Sequence, residues 1–276
     1  MRASWPASVL TLVRARNLLL SAAGVAIGGF LAQGHVAMPD VLLWAMASAA
    51  LLGAAGNVAN DLADLDADRV NRPGRPLVSG AVSVQAALLI GGVAGGLGLL
   101  SAWMVETRLF LIALAALLVM LAYSPVLKQR GLLGNLAVAV VASLPMIYGA
   151  TAVGWWRGGL VASVLAALLH FSREIVKDLA DVAGDAAQGR RTIPIRYGPG
   201  TAFLLAAGAL ILFVPASLAP YFSGWYGHRY GIVVIVLDIG VLALVARLLA
   251  QQAAGASAAL KTAMFTGLVA LLWDRL

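Results

Sequence analysis

Residues 56–77 read GNVANDLADLDADRVNRPGRPL, and residues 173–194 read REIVKDLADVAGDAAQGRRTIP. These two segments, acidic motif 1 and acidic motif 2, hold eight of the twelve acidic residues in the chain. In each motif, four polar residues follow one another at intervals of four, three and four. They are Asn57, Asp61, Asp64 and Asp68 in the first motif and Glu174, Asp178, Asp181 and Asp185 in the second. On a helix this spacing places each set along one face.

Carboxylates stacked along one helix face repel one another, by about 0.2–0.5 kcal/mol per pair on an isolated helix. A divalent cation removes this repulsion. Mg²⁺ binds through a few carboxylates and completes its coordination with water and phosphate oxygens. The sequence therefore predicts magnesium and a diphosphate between the two motifs. The predicted metal ligands are Asn57, Asp61, Asp64, Asp68, Asp178, Asp181 and Asp185, and the six aspartates among them are the predicted catalytic residues.

Two arginines lie near the end of each motif, Arg72 and Arg75 in the first and Arg190 and Arg191 in the second. Cations at these positions can neutralise the phosphate charge that the metal leaves uncompensated. For a single DxxD segment a solvated helix end would be the favoured explanation, and Asp66, which lies off the common face, keeps that interpretation. Two matched motifs with the same arginine pattern favour a binding site.

The rest of the chain has the composition of a membrane protein. Apolar residues make up 62% of it and charged residues 11%, whereas soluble domains contain about 45–50% and about 25%. The apolar residues form nine runs, most of them close to the roughly 20 residues that a membrane-spanning helix needs. We therefore predict an all-α polytopic membrane protein with a single domain, 1–276. The predicted spans are 10–31, 41–59, 84–105, 109–123, 132–153, 159–178, 201–222, 231–250 and 258–273.

Nine spans divide the basic residues unequally between the two sides of a membrane. Fifteen of the nineteen lysines and arginines fall on the side of the N-terminus and of both acidic motifs. Such an excess marks the cytoplasmic side of a cell membrane. The motifs close the second and the sixth span, so they face each other across one central cavity that opens to the cytoplasm. Because the basic residues lie in short clusters between spans, no nucleic-acid partner is expected, and no required protein partner is evident.

The chain resembles the UbiA superfamily of intramembrane prenyltransferases, which share nine helices and two motifs of the forms NxxxDxxxD and DxxxDxxxD. The first form is carried here by Asn57 and Asp61, with Asp64 and Asp68 beside them. The second motif reads DxxDxxxD from Asp178 to Asp185. Within the superfamily, the runs NRPGRPL and REIVKDLADVAGDAAQGRRTIPIRYG look most like archaeal geranylgeranylglyceryl phosphate geranylgeranyltransferases.

The resemblance implies diphosphate-binding roles for Asn17, Tyr123 and Lys128, and Arg72 joins them as a candidate. For Asn17, a hydrogen bond between packed helices is an equal alternative, and this chain lacks the proline that usually precedes the asparagine in the family. For Tyr123 and Lys128, the alternative is an interfacial tyrosine followed by a positive-inside lysine.

The implied reaction is the Mg²⁺-dependent transfer of a geranylgeranyl group from its diphosphate to geranylgeranylglyceryl phosphate. Arg75, Lys177 and Tyr148 are the candidate acceptor contacts. An aromatic acceptor such as 4-hydroxybenzoate or a quinone precursor is the main alternative, because the motif chemistry is shared. A divalent-cation transporter is a remote one, since transport sites lie near the membrane midplane and these motifs lie at span ends.

Four further polar residues lie within predicted spans. For Asn135 the sequence leaves two roles open, lining the cavity or packing between helices. Ser143 is expected to pack between helices. His170 is expected to be a satisfied buried side chain. Asp238 stands alone in the eighth span, where a hydrogen bond to a neighbouring helix is the expected explanation.

Overall fold

The computed structural model describes residues 4–187 and 189–276. Arg2, one of the basic residues counted above, lies outside them. Within these ranges the protein is helical without strands, and nine helical stretches are long and apolar enough to cross a membrane. They are Ala15–Gln33, Asp40–Ala63, Val84–Val105, Thr107–Arg130, Leu132–Ala152, Arg157–Ala180, Pro199–Phe222, His228–Leu249 and Ala256–Arg275. The all-α prediction with nine spans is confirmed.

Short helices and turns connect the spans at the end where the acidic motifs lie. The helices are α1 (Trp5–Leu12), α2 (Ala15–Gln33), α3 (Asp40–Ala63), α4 (Leu65–Asn71), α5 (Val84–Val105), α6 (Thr107–Ala122), α7 (Leu132–Ala152), α8 (Arg157–Ala180), α9 (Val182–Ala187), α10 (Ile193–Tyr197), α11 (Pro199–Phe222), α12 (His228–Leu249) and α13 (Ala256–Arg275). One apolar core joins α3, α5 and α6, and another joins α8, α11, α12 and α13.

The predicted first span, 10–31, is divided into two helices in the structure. Helix α1 ends at Leu12 and α2 begins at Ala15. Between them Arg14 adopts φ 57° and ψ 56°, a left-handed conformation that costs a non-glycine residue about 1 kcal/mol or more. A long-range contact accompanies the break, because the Arg14 guanidinium donates hydrogen bonds to Asn57 and Asp61 of acidic motif 1. Apolar periodicity alone could not show this break.

The predicted fourth span, 109–123, continues beyond its expected end. A π-helical turn over Tyr123–Leu127 and a 3₁₀ turn over Lys128–Arg130 follow α6. The Lys128 amide donates to the Tyr123 carbonyl, and Pro125 supplies no amide hydrogen within this turn. Wide turns of this kind are frequent at functional sites, and this one carries Tyr123 and Lys128 to the end of the bundle.

Each acidic motif is interrupted at its third polar residue. Helix α3 ends at Ala63 and α4 begins at Leu65, so Asp64 lies at the junction. Helix α8 ends at Ala180 and α9 begins at Val182, so Asp181 occupies the same position in the second motif. The expectation of one continuous helix face per motif is corrected accordingly. The break turns the fourth residue of each motif, Asp68 or Asp185, inward: both are buried.

Helices α2 and α7 pack against each other with their backbones very close together. A Cβ atom on Gly149 would lie 1.8 Å from the Val25 carbonyl oxygen, and one on Gly28 would lie 1.9 Å from the Met146 carbonyl oxygen. No side chain fits at either position, so the two glycines set how closely these helices approach. Small residues that allow helix backbones to touch are typical of membrane bundles.

Candidate functional site

A polar cavity of about 550 Å³ lies at the end of the bundle where α3, α6 and α8 finish and α7 begins. Both acidic motifs and the turns after α6 contribute to its wall. The acidic residues that line it are Asp64, Asp68, Glu174, Asp178, Asp181 and Asp185. The basic residues that line it are Arg14, Arg72, Arg75, Lys128, Lys177 and Arg190. The six acidic and six basic groups balance, so a bound anion needs further positive charge.

In acidic motif 1 the carboxylates are held by cations from three parts of the chain. Asp61 is buried and accepts from Arg14 at 2.7 Å and from Arg75 at 2.9 Å. Arg75 also pairs with Asp68. Asp64 accepts from Lys128 Nζ at 2.5 Å, across 64 residues of sequence. These pairs fix the N-terminal segment, motif 1 and the turn after α6 relative to one another.

Among the described residues, two of the carboxylates in acidic motif 2 have no cation bound to them. Asp178 accepts from the Asn135 amide at 2.8 Å. Asp181 is exposed, and its side chain makes no hydrogen bond or ion pair with the described residues. Asp185 is buried and pairs with Arg190 at 2.7 Å, while Glu174 pairs with Lys177 at 2.8 Å. Motif 2 therefore presents the more accessible carboxylates.

Most of the predicted site residues meet at this cavity. Five of the seven predicted metal ligands line it, whereas Asn57 and Asp61 lie behind its wall and hold Arg14. The residues predicted for the diphosphate or the acceptor that line the cavity are Tyr123, Lys128, Arg72, Arg75 and Lys177. Asn17 is exposed on the first turn of α2 and does not line the cavity. These roles remain predictions, but the structure shows which of the residues share one space.

Tyr148 lies at a second, apolar pocket of about 80 Å³ instead. Leu52, Gly53, Met120 and Leu144 contribute to this pocket, and the Tyr148 hydroxyl is 2.9 Å from the Ser48 hydroxyl. On α3, Gly53 precedes the cavity residue Asn60 by seven positions, or about 10 Å of helix. The apolar pocket thus lies deeper in the bundle than the polar cavity, on helices that the two share.

The sequence did not single out three residues that contribute to the cavity. Arg14, to which the sequence analysis gave no role, lines the cavity and donates to Asn57 and Asp61. Asn60 accepts from Ser124 at 3.1 Å and thereby ties α3 to the π-helical turn. Thr192 is buried in the wall, and its hydroxyl has no hydrogen-bond partner among the described residues. For Thr192 no pattern in the sequence gave a signal.

Two of the other polar residues within the spans, Ser143 and Asp238, have local explanations. Ser143 donates to the Val140 carbonyl at 2.8 Å, as expected of a packing role. Asp238 accepts from Ser217 of the neighbouring helix at 2.9 Å, which confirms the expected helix–helix hydrogen bond. Asn135, which the sequence left open, belongs to the cavity through Asp178.

Sequence comparisons relate this chain to membrane prenyltransferases. A sequence model described as the UbiA prenyltransferase family matches residues 21–269. Digeranylgeranylglyceryl phosphate synthase of Natronomonas pharaonis is 36% identical over 278 residues, covering 97% of this chain and 96% of that protein. The protein of the same name from Thermococcus sibiricus is 35% identical, over 82% of this chain and 81% of that protein.

Solved structures share the same arrangement of helices. A structure of digeranylgeranylglyceryl phosphate synthase aligns with a TM-score of 0.91 and 26% identity, over 98% of each chain. A UbiA homologue from Archaeoglobus fulgidus bound to DMAPP and Mg²⁺ aligns with a TM-score of 0.72 and 20% identity, over 96% of this chain and 99% of that one. The second similarity concerns the fold alone.

Proposed function

Given that this chain belongs to the UbiA prenyltransferase family, we propose that it transfers a geranylgeranyl group from its diphosphate to geranylgeranylglyceryl phosphate, with Mg²⁺ as the metal. The observation that carries the proposal is the cavity in which two acidic motifs and six cations enclose one space. The names of the relatives from N. pharaonis and T. sibiricus support the choice of acceptor.

The donor set of the cavity fits magnesium. Its carboxylates are hard oxygen ligands, and Mg²⁺ uses one or two of them together with substrate phosphates and water rather than a cage made only of protein. Among the described residues, no group of three or more histidine or acidic side chains is gathered tightly enough to hold a metal alone. Asp64, Asp68, Asp178, Asp181 and Asp185 are the proposed ligands.

A bound magnesium ion would neutralise the charge that develops on the departing diphosphate. The protein contributes further cations around the same space. We assign Lys128, Arg72 and Arg190 to the phosphate oxygens, because all three line the cavity on segments outside the membrane-spanning helices or at their ends. Preorganised positive groups of this kind stabilise the transition state in which the allylic carbon–oxygen bond breaks.

The acceptor then captures the allylic carbon. Its hydroxyl oxygen forms the new carbon–oxygen bond and loses its proton, while the diphosphate leaves. Lys177, whose side chain is 45% exposed, and Arg75 are the proposed contacts for the acceptor phosphate. The apolar pocket beside Met120 supports a path for the prenyl tail, and apolar walls keep away water that would otherwise capture the same carbon.

We further propose that the protein lies in the cell membrane with its cavity facing the cytoplasm, because the basic residues are concentrated on that side. The chain contains no cysteine, so single cysteines can report the orientation. Ser79→Cys, in the exposed segment between α4 and α5, and Ser223→Cys, after α11, lie at opposite ends of the bundle. In intact cells an impermeant maleimide should label the Ser223→Cys variant and spare the Ser79→Cys variant. The reverse pattern would invert the topology.

Product formation by the purified full-length protein in detergent tests the reaction. Radiolabelled geranylgeranyl diphosphate is offered with geranylgeranylglyceryl phosphate or with 4-hydroxybenzoate, with and without Mg²⁺. We expect product with the glycerol phosphate only, and only when metal is present. Product with the aromatic acid alone would move the enzyme to the aromatic branch of the family.

Two matched aspartates serve as the control for that assay. Asp66 lies on α4, its side chain is 91% exposed, and it pairs only with Arg69. Asp64 lies two residues earlier in the cavity wall. Asp64→Ala should lower product formation by about 10²- to 10³-fold, and Asp66→Ala should leave it unchanged. Equal activity of the two variants would contradict the assignment of the cavity.

A further inference from the structure

We propose that Lys128 and Arg190 exchange partners during binding: each pairs with a motif carboxylate in the free enzyme and moves to the diphosphate when a divalent cation takes that carboxylate. The inference rests on the proposed function of the cavity and adds a coupling between its two ligands. Metal and diphosphate would each remove the group that competes with the other.

Two ion pairs, one in each acidic motif, carry the inference. Lys128 bonds Asp64 at 2.5 Å in motif 1, and Arg190 bonds Asp185 at 2.7 Å in motif 2. All four residues line the polar cavity. Each pair therefore ties a carboxylate with metal-ligand chemistry to a cation with phosphate-ligand chemistry, inside the space that both ligands would enter.

The cations are the partners that can move. Lys128 lies on the 3₁₀ turn after α6, and Arg190 lies on the segment between α9 and α10. Both are long, flexible side chains outside the α-helices, whereas Asp185 is buried within α9 and Asp64 is fixed at a helix junction. The cation side chains are 19% and 28% exposed and the carboxylates 25% and 7%. Each cation therefore keeps contact with the open cavity, and a carboxylate that loses its cation needs the metal in its place.

Charge balance gives the exchange its direction. A carboxylate neutralised by lysine or arginine attracts Mg²⁺ less than a free one, and a cation held by a carboxylate attracts phosphate less than a free one. When the metal and the diphosphate bind together, both competitions disappear at once. By linkage, each ligand then raises the affinity for the other by the same factor, commonly about 5- to 150-fold.

This exchange predicts that a single variant gains affinity for the metal and loses affinity for the prenyl diphosphate. Lys128→Gln and Arg190→Gln remove the competing cation and should bind a divalent metal more tightly, by about three- to tenfold, in the absence of diphosphate. The same variants should retain a prenyl diphosphate less well when metal is present. Lys128→Arg keeps the competitor and should resemble the unchanged protein in metal affinity.

Mn²⁺ serves as a magnetic probe for the metal. Titration of the full-length protein in detergent, followed by electron paramagnetic resonance of free Mn²⁺, gives the metal affinity without substrate or turnover. Retention of radiolabelled geranylgeranyl diphosphate on the immobilised protein with Mg²⁺ gives the second affinity. Thermal unfolding in the same detergent identifies any variant that has lost its fold, and the second cation then decides the test.

Arg69→Gln is the matched control. It breaks an arginine–aspartate pair of the same 2.7 Å length on the outer face of α4, where the two side chains are 63% and 91% exposed. Its Mn²⁺ affinity should stay within twofold of the unchanged protein. Equal or weaker Mn²⁺ binding in both cavity variants, or no Mn²⁺ binding in any of the proteins, would overturn the exchange.

The product assay keeps this test separate from the proposed function. Tighter Mn²⁺ binding in the cavity variants, in a protein that prenylates neither acceptor, supports the exchange and contradicts the proposed reaction. Product formation by the unchanged protein, with no gain in Mn²⁺ affinity in the variants, supports the reaction and contradicts the exchange.

Discussion

The two acidic motifs repeat one spacing and one helix break, yet their carboxylates have different neighbours. In motif 1 the three cavity-end aspartates all contact cations, and Asp61 contacts two arginines. In motif 2 Asp178 has only the Asn135 amide, and Asp181 has no side-chain partner among the described residues. The same local sequence pattern therefore gives a tightly paired site in one half and an open one in the other. We expect motif 2 to admit the first metal ion.

The largest effect should come from the two junction residues. Removing a group that stabilises developing charge typically costs about 10²–10³ in kcat, and we expect losses of this size for both Asp64→Ala and Asp181→Ala in the radiolabel assay. Loss confined to Asp181→Ala would assign the metal to motif 2 alone. If neither variant loses activity, the comparison has no functional meaning.

The close contact between α2 and α7 should give the next largest effect. In Gly149→Ala the new methyl group would meet the Val25 carbonyl oxygen at 1.8 Å, so α2 and α7 must separate. Overpacking of this kind costs about 3 kcal/mol, and we expect a lower thermal midpoint in detergent together with reduced activity. Gly208→Ala on α11 meets no atom within 4 Å and is the control, which should be neutral or slightly stabilising. Equal thermal midpoints for both variants would mean that α2 and α7 can separate without loss of stability.

Stability should also separate the second residues of the motifs. Asp61→Asn leaves Arg14 and Arg75 without their shared carboxylate in a largely buried setting, and we expect a loss of about 2 kcal/mol in the free energy of unfolding. Asp178→Asn keeps an amide oxygen that can accept from Asn135 and leaves no cation without its partner, so it should cost about 1 kcal/mol or less. Denaturant titration in detergent compares the two variants. The reverse order would show that motif 1 is not the more strongly paired motif.

The sequence predicted the spans and the facing motifs well, because both depend on long-range composition. Nine apolar runs leave few ways to cross a membrane, and an even number of spans between the motifs places them at one end. The helix breaks were not predictable in this way. Arg14 combines a left-handed conformation with hydrogen bonds from its guanidinium to Asn57 and Asp61, more than forty residues later, and no local pattern contains that information.

The candidate site was predictable as a set of residue types but not as a set of partners. The spacing of the aspartates placed five of the predicted metal ligands on the cavity wall. It could not show that Asn57 and Asp61 hold an arginine, nor that Tyr148 lies at the apolar pocket with Ser48. Side chains on one helix face differ in depth, and depth depends on which neighbouring helix covers them.

The smallest expected effect concerns the single partner of Asp178. Asn135 is buried at the start of α7 and donates to that carboxylate at 2.8 Å. Asn135→Ala should free the carboxylate to rotate and lower kcat about tenfold, the kinetic equivalent of about 1.4 kcal/mol, with the thermal midpoint little changed. Asn135→Asp should cost more, because it sets a second negative charge beside Asp178.

Ser143→Ala is the matched control on the same helix, because Ser143 is also buried but bonds only the Val140 carbonyl. Its kcat should stay close to that of the unchanged enzyme. If Asn135→Ala retains full activity, the Asp178 carboxylate needs no hydrogen bond from Asn135 to hold its catalytic position. If instead Asn135→Ala loses as much activity as Asp181→Ala, the amide itself contacts the substrate, and motif 2 extends onto α7.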